Sequence, residues 1–333
     1  MPLNKQWFIG VDGGGTGTRG VLADREGRIL AVARRDSTHV LSRPLSQVMQ
    51  TLKALCRELL DQVSGTDEEV RSVFLGLAGA GRPREKEQLL QGFNEVYPGR
   101  VRVEHDAVAA LYAGTWGKPG IVLLAGTGSM AFGVSSQGAP YRVGGWGYLI
   151  GDEGSGFSLG QQALTAVMRA FDGRGKPTQL APLLFAQYKI QEATELVSLL
   201  YASSNPRKWM AEAGPLVLQA TEQGDEVAQE IVDQATDELV LLAEACGRNM
   251  GEAHPIVLAG GLLGKGTLLQ RRVAEKLVML GNAVEIPSFP PLIGSLIMAL
   301  QLGGVQMDSS VQHNLTESWG LMERVYKHDG KVE

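Results

Sequence analysis

The sequence predicts an α/β fold of two lobes, because one order of strands and glycine turns occurs twice along the chain. The first copy is "WFIGVDGGGTGTRGVLADREGRIL" at residues 7–30, and the second is "GIVLLAGTGSMAFGVSSQGAPYRV" at residues 120–143. Each copy contains an apolar strand, a Gly/Thr loop, a second strand, a turn and a third strand. This internal repeat indicates two similar structural units, each opening with a hairpin whose first turn is a glycine loop.

The first lobe continues with alternating helices and strands. Apolar residues at steps of three and four, from Val48 to Leu59, predict an amphipathic helix over residues 44–63. The pattern then predicts a strand at 72–77, a helix at 85–96, a strand at 100–104 and a helix at 107–113.

The second lobe is largely helical between residues 158 and 250. Asn205 and Pro206 predict the start of one helix, and Gly224 with Asp225 separates two others. The lobe closes with a strand at 256–259, a glycine loop at 260–266, a helix to about Leu280 and a strand at 283–286.

The first glycine loop, "DGGGTGTR" at residues 12–19, has chemistry suited to a metal-bound polyphosphate. Its glycines can adopt backbone angles that other residues avoid, so their N–H groups can converge on an anion. Hydroxyl and guanidinium groups add donors, and Asp12 is suited to hold Mg²⁺ through water. The candidate binding residues are Gly13, Gly14, Gly15, Thr16, Thr18 and Arg19. A hairpin turn that merely needs glycine stays the alternative.

Composition excludes several classes of partner. The chain has 333 residues, of which 44% are hydrophobic and 20% charged, which is the balance of a soluble globular protein. A net charge of -5 without a basic run argues against nucleic acid or an anionic membrane surface as partner. Apolar runs are too short for a signal peptide or a membrane span, so we expect a cytoplasmic protein.

Cysteine and histidine usage gives no sign of a structural metal or a disulfide framework. Cys56 and Cys246 both lie in strongly helical patterns, where core positions are the usual role. The five histidines show no ligand spacing, so we expect no zinc.

Three segments in this order carry a resemblance to a known superfamily: "VDGGGTGTR" at 11–19, "LLAGTGS" at 123–129 and "VLAGGL" at 257–262. They resemble the nucleotide-binding segments of the actin-like ATPases, which include actin, heat-shock chaperones and sugar kinases. More narrowly, "GGWGYLIGDEGS" at 144–155 is similar to the N-acetylglucosamine kinase and BadF/BadG-type branch. The resemblance extends from about residue 9 to about residue 302.

This resemblance implies a two-lobed actin-like ATPase fold, a duplicated ribonuclease H-like βββαβαβα unit with a central cleft. The lobes are then residues 1–117 and 118–288, with a helix at 289–305 packing back on the first lobe and an extension at 306–333. The resemblance implies ATP and magnesium as cofactors. It leaves open whether the protein forms a homodimer.

The resemblance also implies the remaining nucleotide contacts. The second phosphate loop supplies Gly126, Thr127 and Gly128, and the third loop supplies Gly260 and Gly261 beside the adenosine. Ala213, in "AEAG", is similar to a helix contact near adenine. From the residues alone, the loop at 260–266 is read first as an ordinary strand-to-helix turn.

Asp106 is the candidate general base. It follows the strand at 100–104 and opens a helix, so its side chain is expected at the edge of the cleft. Position alone favours a helix N-cap, and the resemblance of "HDA" at 105–107 to the aspartate of similar sugar kinases favours a base.

The sugar contacts implied by the resemblance are His39, Asp106, Gly145, Trp146 and Asp152. Asp152 would accept hydrogen bonds from sugar hydroxyls. The alternative is that Asp152 is the N-cap of the following helix. Trp146 would stack on the sugar, with a core position as the alternative. The family's Ser-Thr-Asn-His reads Ser37-Thr38-His39-Val40 here, so the asparagine is missing and the identity of the sugar is open.

The expected function is ATP-dependent phosphorylation of a hexose derivative, an amino or N-acetylamino sugar, by in-line transfer with Asp106 as base. The alternative is an ATPase activator of a 2-hydroxyacyl-CoA dehydratase or benzoyl-CoA reductase, which needs clustered cysteine ligands that two separate helical cysteines do not offer. A nucleotide-dependent binding protein without transfer chemistry is a third class, but no substrate-binding domain follows residue 308.

Overall fold

The computed structural model describes residues 5–15, 17–40 and 42–328, with side chains described to residue 323. Thr16, one of the predicted loop residues, lies outside this range. Two compact units are present: one contains the described residues of Met1–Lys118 and Pro287–Glu333, and the other is Pro119–Ile286.

The first unit is built on a five-stranded mixed sheet in the order β3-β2-β1-β4-β5. The strands are β1 (Trp7–Gly13), β2 (Thr18–Ala23), β3 (Ile29–Arg35), β4 (Val70–Leu77) and β5 (Val101–His105). The helices are α1 (Leu45–Gln62), α2 (Pro83–Asn94) and α3 (Asp106–Thr115), with a 3₁₀ turn at Asp67–Glu69. β1 pairs antiparallel with β2 and parallel with β4, so the glycine loop lies at the end of the central strand.

The second unit repeats this sheet. Its order is β10-β9-β6-β7-β8, with antiparallel β6/β7 and β7/β8 pairs and parallel β6/β9 and β9/β10 pairs. The strands are β6 (Gly120–Ala125), β7 (Ser129–Val134), β8 (Pro140–Gly144), β9 (Ile256–Ala259) and β10 (Val284–Glu285). The duplicated layout predicted from the glycine hairpins is therefore confirmed strand by strand.

A helical segment separates β8 from β9 in the second unit. Its helices are α4 (Gly156–Phe171), α5 (Leu180–Tyr188), α6 (Ala193–Ala202), α7 (Pro206–Ala211), α8 (Gly214–Glu222) and α9 (Glu226–Met250), and α10 (Leu268–Met279) precedes β10. The predicted helix start at Asn205 and Pro206 is confirmed, because the Asn205 side chain caps α7 by accepting the Lys208 N–H at 3.1 Å.

Two helices follow β10 and belong to the first unit: α11 (Pro291–Leu302) and α12 (Ser309–His328). α11 is buried against the central strand, since a Cβ on Gly10 would lie 2.7 Å from the Leu296 Cα. α12 packs at the edge strand, where the Ser318 hydroxyl accepts the Ile29 N–H at 3.0 Å. Within the described residues, no helix is long and apolar enough to cross a membrane.

Candidate functional site

The first glycine loop joins β1 to β2. The Gly14 N–H donates to the Gly17 carbonyl at 3.0 Å, which closes the turn. The predicted use of left-handed backbone angles is wrong for Gly13, Gly14 and Gly15, none of which has a φ in that region. Gly13 is needed for another reason: a Cβ there would collide with the Thr38 hydroxyl and lie 2.5 Å from Leu77. Apart from its chain neighbours, no atom of the described residues lies within 4 Å of a Cβ position on Gly15.

The Thr18 hydroxyl supports the loop from inside the protein. Thr18 is fully buried, donates to the Asp36 carbonyl at 2.7 Å and lies 2.8 Å from the Thr38 hydroxyl. The structure therefore contradicts the prediction that this hydroxyl donates to a ligand, because its single O–H donor is used by the Asp36 carbonyl and the side chain is fully buried.

Three charged groups of the first unit influence one another at the end of β1. Asp12 lies directly opposite Arg19 across the β1/β2 pair. Burial, and after it the Asp106 carboxylate, raise the pKa of the Asp12 carboxyl to about 6, and the Arg19 guanidinium acts in the opposite direction. The fold thus holds two carboxylates close enough to repel each other, an arrangement that a cation relieves.

Asp106 is the first residue of α3 and is not its N-cap. His105 has that position, and its Nδ1 accepts the Ala107 N–H at 3.1 Å. The same Nδ1 lies 2.8 Å from the Asp106 carboxylate, whose side chain is 36% exposed. The N-cap alternative is therefore wrong, which leaves the carboxylate accessible. His105 was not singled out from the sequence, although it stands directly before Asp106 in "HDA".

His39 lies on a short segment that is bonded to the first loop. The Ser37 hydroxyl donates to the Gly14 carbonyl at 2.8 Å and accepts the His39 N–H at 3.3 Å. The His39 Nδ1 is buried and has no hydrogen-bond partner in the part of the chain that is described. A buried polar atom without a partner is a place where a ligand could supply one.

The second glycine loop, in the other unit, is bonded to the start of α4. The Gly126 N–H donates to the Gly128 carbonyl at 2.9 Å, and the Gly126 carbonyl accepts the Gly156 N–H at 2.7 Å. The Thr127 carbonyl accepts the Phe157 N–H at 3.3 Å. In the described part of the chain, no atom other than those of its chain neighbours lies within 4 Å of a Cβ position on Gly126.

Asp152 is buried and paired within the second unit. Its side chain is 3% exposed, its φ is +64°, and one of its oxygens accepts from Arg207 at 2.9 Å. Its other oxygen lies 3.4 Å from the Ser129 N–H. The N-cap alternative is wrong, because Ser155 caps α4 by accepting the Ser158 N–H at 3.2 Å. Sequence reasoning missed Arg207, which lies 55 residues further along the chain.

Trp146 lies at the surface and not in the core. Its side chain is 64% exposed, and the Arg142 guanidinium lies 5.1 Å from the ring centroid. Gly145 beside it has a φ of +69°, and a Cβ there would lie 2.9 Å from the Arg142 Nη2. The core alternative for Trp146 is therefore wrong, and an exposed aromatic face remains available for stacking.

The third glycine loop meets the second within the same unit. Gly260 has a φ of +98°, and a Cβ on it would collide with the Ala125 carbonyl at the end of β6. Gly261 has open space where a Cβ would point. Ala213, at the N-cap of α8, is fully buried beside Gly160, so its side chain belongs to the core and its nucleotide contact stays a prediction.

Comparison with known proteins identifies the family. The model of the BadF/BadG/BcrA/BcrD ATPase family matches residues 9–299. The chain belongs to that family. An N-acetylmuramic acid/N-acetylglucosamine kinase from Clostridium acetobutylicum is 32% identical over 243 residues, covering 72% of this chain and 79% of the relative. An N-acetyl-D-glucosamine kinase from Dictyostelium discoideum is 29% identical over 316 residues, covering 90% and 99%.

Solved structures show the same fold. A Chromobacterium violaceum protein assigned as an N-acetylglucosamine kinase has a TM-score of 0.68 at 27% identity, covering 90% of this chain and 100% of that one. A ROK family glucokinase from Streptomyces griseus, solved with glucose and AMPPNP, has a TM-score of 0.52 at 16% identity, covering 89% and 98%. The predicted family and the actin-like ATPase fold class are confirmed.

Proposed function

We propose that this chain is an ATP-dependent sugar kinase that phosphorylates a hydroxyl of an amino or N-acetylamino sugar. The observation that carries the proposal is the accessible Asp106 carboxylate, placed within electrostatic reach of Asp12 beside a glycine loop. Membership of an ATPase family supports ATP as the phosphoryl donor. Relatives named as kinases of N-acetylglucosamine and N-acetylmuramic acid support the substrate class.

Asp106 acts as the general base in this proposal. Its carboxylate accepts the proton of the sugar hydroxyl as that oxygen bonds to the γ-phosphorus of ATP, while the bond from that phosphorus to the β,γ-bridging oxygen breaks and ADP leaves. Proton loss comes late in this loose transition state. The first turn of α3 fixes the backbone of Asp106, so its carboxylate stays at the start of that helix. A base held near the reacting hydroxyl lowers the entropic cost of the reaction.

Asp12 fits a magnesium ion. It supplies the hard oxygen donor that Mg²⁺ prefers, and its ionised form is disfavoured by burial and by the neighbouring Asp106 carboxylate. A cation bound through water would favour that ionised form. When bound, the ion would neutralise charge on the β- and γ-phosphate oxygens. Arg19, opposite Asp12, adds positive charge on the same side.

Each unit carries groups suited to a sugar. In the first, His39 has a buried Nδ1 without a partner in the described chain, which can accept a hydroxyl or amide N–H when neutral. In the second unit, Trp146 offers an exposed ring, and the backbone of Gly145 beside it can pair with an acetamido group. Asp152 provides acceptor oxygens. These groups suit a sugar with a polar substituent.

The cysteine environment disfavours the ATPase-activator alternative. Cys56 lies on α1 of the first unit and Cys246 on α9 of the second, and both are buried and free. Burial raises the pKa of the Cys56 thiol to about 12 and that of Cys246 to about 11, so neither is poised as a thiolate ligand. No observation favours a second function over the kinase.

A coupled assay of ADP release over a sugar panel tests the proposal. The panel contains N-acetylglucosamine, glucosamine, N-acetylmuramic acid, glucose and glycerol. We expect at least one of the first three to have a higher kcat/KM than glucose, by about 10-fold or more, because polar groups placed for a substituent penalise its absence. Higher kcat/KM for glucose or glycerol would exclude the amino-sugar substrate, and no ADP release with any sugar would exclude the kinase.

A further inference from the structure

The ion pair between Arg207 and Asp152 joins two parts of the candidate site in the second unit. The Arg207 Nη2 donates to the Asp152 Oδ2 at 2.9 Å. A Cβ on Gly128 would lie 2.7 Å from that Nη2 and 2.8 Å from the Asp152 Oδ1. The pair therefore packs directly on the second glycine loop, and a larger residue at position 128 would displace it.

Close helix packing brings Arg207 to this place. α7 begins at Pro206, so Arg207 is its second residue. A Cβ on Gly160 of α4 would overlap the Met210 carbonyl of α7, and one on Gly156 would lie 3.3 Å from the Ala211 carbonyl. These two glycines allow α7 to lie against the start of α4, which is itself bonded to the loop through Gly126.

The protein supplies partners for only some of the hydrogen-bond donors of Arg207. Its Nε is buried and has no hydrogen-bond partner among the described residues. Its guanidinium lies 5.8 Å from the centroid of the Tyr148 ring, which supplies a cation–π contact. The side chain is 39% exposed, whereas Asp152 is 3% exposed, so the arginine covers the carboxylate from the outer side.

A buried carboxylate without a partner is costly, and a carboxylate offers about four lone-pair sites. Arg207 and the Ser129 N–H occupy two of those sites. Arg207 bonds Asp152 through its Nη2 alone, and this single charge-assisted hydrogen bond, with the Tyr148 ring beside the guanidinium, holds the carboxylate in place. Both oxygens of Asp152 lie beside the glycine loop, within 2.9 Å of the Cβ position of Gly128.

We propose that Arg207 is a positioning residue of the kinase reaction: it holds the ionised Asp152 carboxylate against Gly128 so that the free lone pairs of Asp152 accept hydroxyl groups of the sugar. This inference rests on the proposed sugar kinase function. Arg207 acts through Asp152 and through the loop, so its removal affects sugar binding more than the chemical step.

The test compares Arg207→Met, Arg207→Lys, Asp152→Asn and the double variant by steady-state kinetics on the best sugar of the panel, with thermal unfolding of each protein. Lys208→Met is the matched control, because Lys208 is the next residue of α7, is exposed and carries the same charge. We expect Arg207→Met to raise the sugar KM by about 10-fold to 100-fold, the range for one hydrogen bond to a charged group, with kcat and the ATP KM within about 3-fold. Arg207→Lys should recover part of the loss, and the double variant should be no worse than Asp152→Asn.

Three outcomes would overturn the inference. The first is an unchanged sugar KM in Arg207→Met despite a lower unfolding temperature, which is the signature of a purely structural ion pair. The second is a double variant whose sugar KM shows the full product of the two single effects. The third is an equal change in Lys208→Met. If Arg207→Met does not fold, Arg207→Lys and the double variant carry the same comparison. A wild-type protein without activity on the panel would instead overturn the proposed function itself, and this inference with it.

Discussion

Replacing Asp12 with asparagine is expected to stabilise the ligand-free protein at neutral pH while impairing its use of magnesium. In the fold, burial and the Asp106 carboxylate raise the pKa of Asp12 from 3.8 to about 6. The folded protein therefore binds the Asp12 proton more tightly than the unfolded chain does. At pH values above 6 the ionised carboxylate opposes folding, and this penalty disappears as the pH falls below 3.8.

The magnitude follows from the size of the rise. One pKa unit corresponds to about 1.4 kcal/mol, so a rise from 3.8 to about 6 costs about 3 kcal/mol of folding free energy once both states are ionised. At pH 4.5 about 1 kcal/mol of that penalty remains, because the folded state is then protonated and the unfolded state is partly ionised. An asparagine side chain cannot ionise, so the stability gain of Asp12→Asn should shrink by about 2 kcal/mol between pH 7.5 and pH 4.5.

Urea unfolding at the two pH values measures this difference, with Asp61→Asn as control. Asp61 is an exposed carboxylate on α1, and its replacement should have the same small effect at both pH values. The comparison between pH values cancels any constant effect of the asparagine side chain. A stability difference between Asp12→Asn and wild type that does not change with pH would refute the reasoning, since ionisation of Asp12 would then not oppose folding.

The same variant tests the metal role separately. If Asp12 holds Mg²⁺ through water, Asp12→Asn should need a higher magnesium concentration for half-maximal activity, and Mg·ATP should raise its unfolding temperature less than it does for wild type. An unaltered magnesium dependence would leave the stability result intact and remove Asp12 from the metal site.

Three further changes test other parts of the site and fold. Asp106→Asn keeps the shape but removes proton acceptance, so kcat should fall by about 100-fold or more while the sugar KM changes far less; retention of most of the turnover would exclude Asp106 as base. His39→Asn should change the ranking of the amino sugars by kcat/KM, since a carboxamide places its donors differently, and an identical ranking would argue against contact with the sugar. Gly294→Ala should destabilise the first unit by about 1–3 kcal/mol in thermal or urea unfolding, because its Cβ would collide with the Ala109 carbonyl of α3. Gly320→Ala on α12 is its control, because no atom of the described residues beyond that helix's own backbone lies within 4 Å of its Cβ position, and it should be neutral or slightly stabilising.

Local patterns were sufficient to predict the sheet hairpins and most helices. An alternating apolar strand followed by a glycine turn is encoded within some twenty residues, so both hairpins could be found and their repetition recognised. The open position of Asp106 at the start of α3 was also predicted, because the strand at 100–104 and the helix after it are local features. Only the identity of the N-cap, His105, differed.

Long-range pairings could not be predicted in this way. The partner of Asp152 is Arg207, which lies on α7. That helix packs closely against α4 because Gly156 and Gly160 lack a Cβ. The sequence around Asp152 and around Arg207 gives no sign that α7 packs against α4. Thr18 illustrates the same difficulty, because a hydroxyl beside a glycine loop is compatible with a ligand contact until Asp36 and Thr38 are found bonded to it.

Glycines of the three loops divide into two kinds once their surroundings are known. Gly13, Gly128 and Gly260 are packed, since a Cβ on each would meet Thr38, the Arg207–Asp152 pair or the Ala125 carbonyl. For Gly15, Gly126 and Gly261, no atom of the described residues apart from the chain neighbours lies within 4 Å of that position. In a packed glycine the protein itself needs the space, and the residue type follows from the fold. In an open glycine the fold imposes no such requirement. The absence of a side chain there leaves room for a ligand beside the backbone. Because the Gly126 N–H already donates to the Gly128 carbonyl, it is this room, and not a free N–H, that Gly126 offers to the nucleotide of the proposed function.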